Sequence, residues 1–584
     1  MYINNRIEHL TYIVLKQDWK KLFAFLLIFW LGMNFFQALF TEIMKDEAYY
    51  SLYGQKLAWG YFDHPPIVGL MTYLSALLIK GNLSVRLVTV FLQFFTLVVI
   101  WKIINEKSPD TKKIVLFFSI ALSLVMFQAY GFVTTPDVPL LFFTTLFLLF
   151  YRSFLNNESW LHTLLLALAM TGMIYSKYHA FLVIGLIVLS NLRLLMRPKF
   201  WMAVLLTVLM LMPHIYWQIS MDFPSFEYHL ITRNRNFKWL FFFEYLPNQL
   251  VVFNPFTFGA VIYILVKHKA SDLFERGLYF LTGGFLVFFW IMTFRGHVEP
   301  HWTVICSIPM IVLLYHHSLN DIKLMRFVKK CILPSLILVV CVRIVFITDW
   351  LPERLDFYGK KDKSNAIETI AGNLPVIFTG SFQNPSNYQF FTGKESFVLS
   401  AVDSRRTQYD IWQKELDYQG KPVFICQYKD GKSKEYQING YSFSGYLTND
   451  FQSVNRIKIA YSLQQEEICA GDTLRIAFEM YNPTPNDIRF HHSEFPISCK
   501  AVYFLGSNID AGVTSERNNR HFLFFDCELE PVIEILHTHA TVTGNLKTIV
   551  PNFNPDKYPF ALTLDNTVCC ANNSDFVKLS IRRP

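Results

Sequence analysis

Residues 22–40 read LFAFLLIFWLGMNFFQALF, and two polar motifs follow at once: Lys45-Asp46-Glu47-Ala48-Tyr49-Tyr50 and Gly60-Tyr61-Phe62-Asp63-His64-Pro65-Pro66. As a helix rising about 1.5 Å per residue, the apolar run crosses the roughly 30 Å hydrocarbon core of a bilayer. An Asp at the centre of such a helix costs roughly 2.5–3.5 kcal/mol on insertion scales. Here the acids and the histidine gather at the membrane edge, where water and a lipid-linked substrate both have access. That placement predicts chemistry at the membrane surface rather than a plain anchor.

The same pattern continues along the chain. The 584 residues are 52% hydrophobic and 17% charged, with 57 Phe, too apolar for a water-soluble protein of this length. The apolarity is uneven: residues 22–348 are a series of long apolar runs, whereas 350–584 read as an ordinary globular sequence. The predicted fold class is therefore a polytopic α-helical membrane protein with a soluble C-terminal part. The expected domains are 1–348 in the membrane, 349–445 as a small α/β subdomain, and 446–584 as a β-rich domain. The formal charge of +8 does not indicate nucleic-acid binding, because many basic residues sit in short loops between apolar runs. Residues 22–40 lack a small-residue cleavage site, so the run is expected to stay as a signal anchor.

About eleven spans are predicted, at 22–40, 84–104, 114–132, 138–155, 160–176, 180–196, 200–219, 249–266, 277–294, 302–318 and 331–348. Residues 67–79 are apolar but too short to cross; with 47–59 they read as a pair of helices lying in the interface. Loops carrying Lys112 and Lys113, Arg193, Arg197 and Lys199, Lys267 and Lys269, and Lys329 and Lys330 fall on one side, which the positive-inside rule makes cytoplasmic. An odd number of spans then puts the C-terminal domains outside the cytoplasmic membrane. The residues 46–66, Thr134-Thr135-Pro136-Asp137, Ser176-Lys177-Tyr178-His179 and Arg295-Gly296-His297-Val298-Glu299-Pro300-His301-Trp302 converge on that outer side. So does a polar loop with Glu227, His229, Arg233, Arg235 and Lys238.

In the soluble part, Val376-Ile377-Phe378 and Val423-Phe424-Ile425-Cys426 read as strands among helical patches, an α/β unit. Alternating runs from Arg456 onward, separated by turns such as Asn482-Pro483-Thr484-Pro485-Asn486, suggest a β-sandwich. Six of the nine cysteines (Cys426, Cys469, Cys499, Cys527, Cys569, Cys570) lie here. An even number in an oxidising compartment allows disulfides, with connectivity left open. No Cys/His spacing typical of structural zinc and no phosphate-cradling glycine loop occurs.

Asp46-Glu47-Ala48-Tyr49-Tyr50, Tyr61-Phe62-Asp63-His64-Pro65-Pro66, Pro136-Asp137-Val138-Pro139-Leu140 and Ser176-Lys177-Tyr178 resemble the bacterial branch of the protein mannosyltransferases and lipid A aminoarabinose transferases. These are membrane glycosyltransferases of the GT-C fold, and the likeness covers about residues 20–415. Gly296 to Trp302 resembles a late-loop motif of uncharacterised members, and 387–394 with 408–412 resembles their C-terminal extension. The resemblance implies inverting transfer of one sugar from a polyprenyl-phosphate donor to a lipid, glycan or protein acceptor, outside the cytoplasmic membrane.

That reaction needs a carboxylate as general base, and cations facing the phosphate as it gathers charge. Asp46, by its match to the family's first-loop acid, is the first-choice base, with Glu47 beside it and Asp137 as a second catalytic carboxylate. Lys177, Arg295 and Arg86 are the candidates for donor-phosphate binding. Each also has a structural reading: Asp46, Glu47 and Asp137 suit helix N-termini, and Lys177 suits an interface lysine whose stem lies in apolar surroundings. Asp63 and His64 align with positions that carry a metal-binding acid and a lysine in the aminoarabinose branch. No cofactor is required, but Asp63, His64 and His297 are the candidate ligands for a divalent metal ion. The alternative function is a transporter or flippase of a glycolipid, which would place polar residues near the bilayer midplane on broken helices.

Overall fold

The structure, a computed structural model, describes residues 2–232, 237–348, 358–426, 433–463, 467–505 and 522–582, with side chains from Asp18 onward except at 230–232. The chain divides into two compact units, Met1–Tyr358 and Gly359–Pro584.

The first unit is helical. Its helices are α1 (Tyr2–Phe40), α2 (Lys45–Gln55), α3 (Ile67–Leu78), α4 (Leu83–Ile104), α5 (Thr111–Ser123), α6 (Val125–Ala129), α7 (Asp137–Asn156) and α8 (Trp160–Ser176). They continue with α9 (Ala180–Ser190), α10 (Pro198–Ser220), α11 (Pro224–Phe226), α12 (Trp239–Phe253), α13 (Pro255–Lys267), α14 (Leu273–Met292), α15 (Ser307–Asn320) and α16 (Ile322–Ile347). Among the described residues, seven helical stretches are long and apolar enough to cross a membrane: Asp18–Phe40, Leu83–Ile104, Asp137–Asn156, Pro198–Ser220, Leu273–Arg295, Pro300–Asn320 and Ile322–Ile347. The chain is a multi-pass membrane protein.

Of the four remaining expected spans, 160–176 is the single 17-residue α8, and the other three are helical but interrupted. Residues 114–132 divide into α5 and α6 at Leu124, whose backbone is extended. Residues 180–196 become the 11-residue α9 and a 3-10 turn, Leu192–Met196. Residues 249–266 straddle α12 and α13, which meet at 107°. The reason for that bend is local: Asn254 adopts φ +74 and its side chain accepts from the Phe256 N–H, while Pro255 opens the next helix. A proline at the first helical position forfeits no internal hydrogen bond. Polar residues in the loops also start helices, as at Asp110, Ser159, Asp272 and Asp321, whose side chains accept from N–H groups of the first turn.

The two short helices α2 and α3 pack on each other. Thr72 Oγ1 on α3 donates to the Tyr50 carbonyl on α2 (2.9 Å). At 12 residues, α3 is roughly 18 Å long and cannot span. Arg343 on α16 is buried and has no carboxylate partner among the described residues. It donates to Asn34 Oδ1 (2.7 Å) and Gln128 Oε1 (2.9 Å) and packs over the rings of Trp30 and Phe132, which ties α16 to α1 and α6.

The second unit contains α17 (Lys360–Ala371), α18 (Gln383–Thr392), α19 (Gln408–Trp412) and strands β1 (Val376–Thr379), β2 (Ser396–Leu399), β3 (Val423–Cys426), β4 (Lys434–Ile438) and β5 (Tyr441–Thr448). These strands form one sheet in the order β2-β1-β3-β5-β4, parallel across β2-β1-β3 and antiparallel beyond. Because β5 runs to Thr448, a boundary after residue 445 would cut a strand of this sheet; the sheet's last pairing lies beyond it. Then come β6 (Lys458–Leu463), β7 (Glu467–Cys469), β8 (Thr473–Tyr481), β9 (Ile488–Arg489), β10 (Ser498–Phe504) and β11 (Phe522–Asp526). The last strands are β12 (Glu528–Glu530), β13 (Ile535–Leu536), β14 (Thr541–Ile549), β15 (Asp556–Asp565) and β16 (Val577–Arg582). They build sheets β11-β10-β15-β16-β7 and β12-β14-β8-β6, with β13 and β9 paired apart from both. Both contribute to one core: Ile476 and Phe478 of β8 and Leu546 of β14 cluster with Tyr503, Phe560 and Leu579. Burial alternates along β8, as expected for a strand with one face on a core. Among the described residues no disulfide is formed, although Cys527 N donates to the Cys499 carbonyl (2.9 Å).

Candidate active site

The start of α2 separates two adjacent acids. Asp46 is exposed, whereas Glu47 is fully buried. Successive residues of a helix point about 100° apart around its axis, so one acid turns outward and the next inward. Glu47 is then saturated. Its Oε2 accepts from the Met44 N–H that opens the helix (2.8 Å), and its Oε1 accepts from Thr134 N (2.8 Å). Arg86, reaching in from α4, donates Nε to Oε1 (2.8 Å) and Nη2 to Oε2 (2.5 Å). The guanidinium also donates to the carbonyls of Ala38, Thr41 and Glu42, and it too is completely buried. A carboxylate with every oxygen engaged, facing a guanidinium with no solvent access, is in no position to take a substrate proton or hold a donor phosphate. Glu47 and Arg86 come together as a clamp that joins the first loop to α4 and the loop before α7.

The Asp63–His64 loop is held from three sides. Tyr53 OH donates to Asp63 Oδ1 (2.6 Å), and the Tyr53 ring stacks on Tyr61 with centroids 4.0 Å apart. Gly60 lies against the Trp217 ring of α10, at a spot where any Cβ would collide with the indole. His229 Nε2 donates to the Asp63 carbonyl (3.1 Å). His64 Nε2 lies 3.2 Å from Tyr50 OH. Burial, with Lys177 and His229 nearby, pushes the His64 imidazole down to about 3, against the opposing pull of Asp63 and Asp137. His64 is therefore neutral at any physiological pH.

Asp137 opens α7 and Lys177 ends α8. The Lys177 ammonium donates to both oxygens of Asp137 (2.8 and 2.9 Å), and Asp137 is only 2% exposed. Asp137 is thus an ion-pair partner rather than a second carboxylate open to substrate. Lys177 also lines a cavity of about 340 Å³ together with His64, His229, Arg295, His297 and Trp302. The turn at Gly296 (φ +147), a conformation that side-chain-bearing residues rarely adopt, puts Arg295 and His297 on this same wall. Arg295 is exposed and makes no ion pair or hydrogen bond among the described residues. Around Tyr130, at the end of α6, three carboxylates are within electrostatic reach: Asp137, Asp46 and Glu299. Asp137 is within reach of both Tyr130 and His64.

Four of the nine candidate residues (His64, Lys177, Arg295, His297) therefore meet in one cavity, Asp137 stands behind its wall, and Glu47 and Arg86 are sealed elsewhere. Asp63, His64 and His297 do not gather as a metal site. Among the described residues no three His, Cys, Asp or Glu side chains are placed to hold an ion. The Asp63 carboxylate takes the Tyr53 hydroxyl, and His297 faces Glu299 at 3.7 Å. Arg233 and Arg235 lie outside the described residues.

A further network, on α10, involves none of the candidate residues. His214 Nδ1 donates to the Trp59 carbonyl (2.6 Å), which leaves Nε2 to accept from Tyr178 OH (3.1 Å). Gln218 Nε2 donates to the same hydroxyl (2.8 Å). The available signal was the pair His214 and Gln218, four residues apart on one face of an otherwise apolar helix.

Residues 63–217 match the family model described as dolichyl-phosphate-mannose-protein mannosyltransferase. No curated protein sequence matches the chain. Among solved structures the chain is similar to ArnT from Cupriavidus metallidurans bound to undecaprenyl phosphate, with a TM-score of 0.54, 13% identity, and coverage of 73% of this chain and 98% of that one. It is equally similar to the same protein in its apo state, with a TM-score of 0.53, 13% identity, and coverage of 74% and 98%. At that identity the likeness concerns the fold, and the segment it shares with the family model carries Asp63, His64, Arg86, Asp137 and Lys177. That segment of mannosyltransferase-family sequence thus lies within a multi-pass helical fold similar to that of ArnT.

Proposed function

We propose that the protein transfers one sugar from a polyprenyl-phosphate-linked donor, with inversion at the anomeric carbon, to a lipid, glycan or protein acceptor at the outer face of the cytoplasmic membrane. The observation that carries this reading is the cavity in which Lys177 and Arg295, two cations from distant parts of the chain, share a wall with aromatic and histidine side chains. A phosphate that gains charge as its bond to the sugar breaks is stabilised by such preorganised donors. Its relative's undecaprenyl phosphate supports a polyprenyl phosphate as the leaving group. The acceptor oxygen attacks the anomeric carbon, the bond to the phosphate oxygen breaks, and the electron pair stays on the phosphate. The acceptor proton passes to Asp46, the exposed acid of the first loop. Asp137 is a positioning residue that fixes the Lys177 ammonium. Glu47 and Arg86 brace the loop that presents Asp46. His64, being neutral, orients rather than neutralises.

The test is turnover of radiolabelled polyprenyl-phosphate sugar by purified protein. Asp46→Asn is nearly isosteric yet a poor proton acceptor, so kcat should fall roughly 10²–10⁴-fold with folding intact; near-normal turnover would make Asp46 a structural residue. The outer-face assignment rests on charge bias. Reporter fusions after Lys113, Lys199 and Lys330 should read cytoplasmic, and those after Asn82 and Pro584 external. An internal C-terminus would reverse it.

A further inference from the structure

A second, larger cavity of about 590 Å³ lies in the helical unit away from the candidate active site, between α5 and the α15–α16 corner. Its mouth carries Lys112, Lys113 and Lys329, and its walls are apolar, with Val115, Leu116 and Met325 among them. Lys113 is already engaged: its ammonium donates to Glu106 Oε1 and to the Ser108 carbonyl (both 2.9 Å). The Asp110 carboxylate at the rim is also occupied, accepting from Lys113 N (2.8 Å). Lys112 and Lys329 are exposed and form no ion pair or hydrogen bond among the described residues.

At Ile332 the cavity adjoins a crevice lined by Ile120, Ser123, Cys331 and Ser335, whose volume of about 20 Å³ has room for a water but not for a chain of methylenes. The cavity itself follows α5 from Lys112 to Ser119, roughly 10 Å at 1.5 Å per residue. Two cations that have no ion pair among the described residues, at the mouth of an apolar cavity of that depth, are complementary to a lipid with an anionic head and the upper part of an acyl tail, and basic pockets between membrane helices bind such headgroups.

We infer that this cavity is a binding site for one anionic diacyl phospholipid of the surrounding leaflet. Its phosphate sits between Lys112 and Lys329, and the upper part of one acyl chain lies in the cavity between α5 and α16. The site does not depend on the proposed transfer reaction. It draws on different residues, and in the charge-bias topology it opens to the cytoplasmic leaflet.

Native mass spectrometry of protein extracted from phosphatidylcholine vesicles doped with phosphatidylglycerol tests it. The wild-type chain should retain one phosphatidylglycerol. Each lysine near an anionic headgroup accounts for roughly a 5-fold change, so Lys112→Met with Lys329→Met should lower retention by roughly 30-fold. Lys267→Met with Lys269→Met, equally basic but outside the cavity, should leave retention unchanged. Val115→Trp fills the cavity with both lysines intact and should also release the lipid. Retention by the Lys112/Lys329 double variant, or equal loss from the Lys267/Lys269 variant, would overturn the site. Retention by Val115→Trp would overturn the seated acyl chain. Displacement of phosphatidylglycerol by added undecaprenyl phosphate would overturn the choice of a phospholipid.

Discussion

Two buried ion pairs lie within the first unit, and they do opposite things with the same chemistry. Glu47–Arg86 joins residues 39 apart and Asp137–Lys177 residues 40 apart, each through two hydrogen bonds. In the first, both side chains are at most 1% exposed and backbone groups from three segments use what bonding capacity remains. In the second, the lysine keeps 10% of its side chain accessible and lines a cavity. The sealed pair is a fastener; the other is a charge held at a wall where a ligand can meet it. Burial of a charge is tolerable only when it is matched. What distinguishes the two pairs is whether one partner also faces open space.

The sharpest way to break this contrast is to remove one side of the sealed pair. Arg86→Met leaves Glu47 buried and uncompensated, and should cost about 3–5 kcal/mol of stability. Thermal unfolding of the detergent-purified variant should show a large fall in Tm, partly restored by adding Glu47→Gln. Unfolding at the wild-type temperature would remove the fastening role.

Next is the wall pair, whose effect should appear in donor kinetics. Loss of a charge-assisted contact costs about 1.5–3 kcal/mol, or roughly 10–150-fold in kcat/KM for the donor. Lys177→Met should show it, together with a stability loss from the stranded Asp137. Arg295→Met should show the kinetic loss alone, because Arg295 has no partner to strand among the described residues. Unchanged donor kcat/KM in both variants would take them out of the site.

The smallest effect concerns His64. Its folded-state pKa lies far below the ordinary histidine value, so the unfolded chain binds the proton first. Stability contributed by keeping the ring neutral is complete above about pH 6.5 and is lost as pH falls from there toward about 3. His64→Gln should flatten the acid limb of stability in that window and leave stability unchanged near pH 8. A difference confined to alkaline pH would mean that the ring is charged in the native protein.

Much of this was legible from the sequence for local reasons. Each apolar run could be compared with bilayer thickness, and each expected span has helical counterparts. The breaks at Leu124, Asn191 and Asn254 were not legible, because an apolar run does not report where the helix bends. The polar motifs pointed to Lys177, Arg295, His64 and His297, which share a cavity. They favoured Asp46 over Glu47 only through the family match, and could not show that Glu47 and Arg86 are sealed together while Lys177 meets a cavity. His214 and Gln218 were hidden inside an apolar run, and their value lies in reaching Trp59 and Tyr178 from another helix.

Many membrane crossings, the places of the basic loops between the apolar runs, and the motifs that carry charge all follow from the order of residues alone. These are properties of consecutive residues, set by helix rise, hydrocarbon thickness and the cost of charge in lipid. Which acid pairs with which base, which of them meets a cavity, and that Asp63, His64 and His297 do not gather as a ligand set emerge with the packing of the helices. Electrostatic strength and access depend on distance and burial between segments far apart in the chain, and those quantities exist only once the helices are packed.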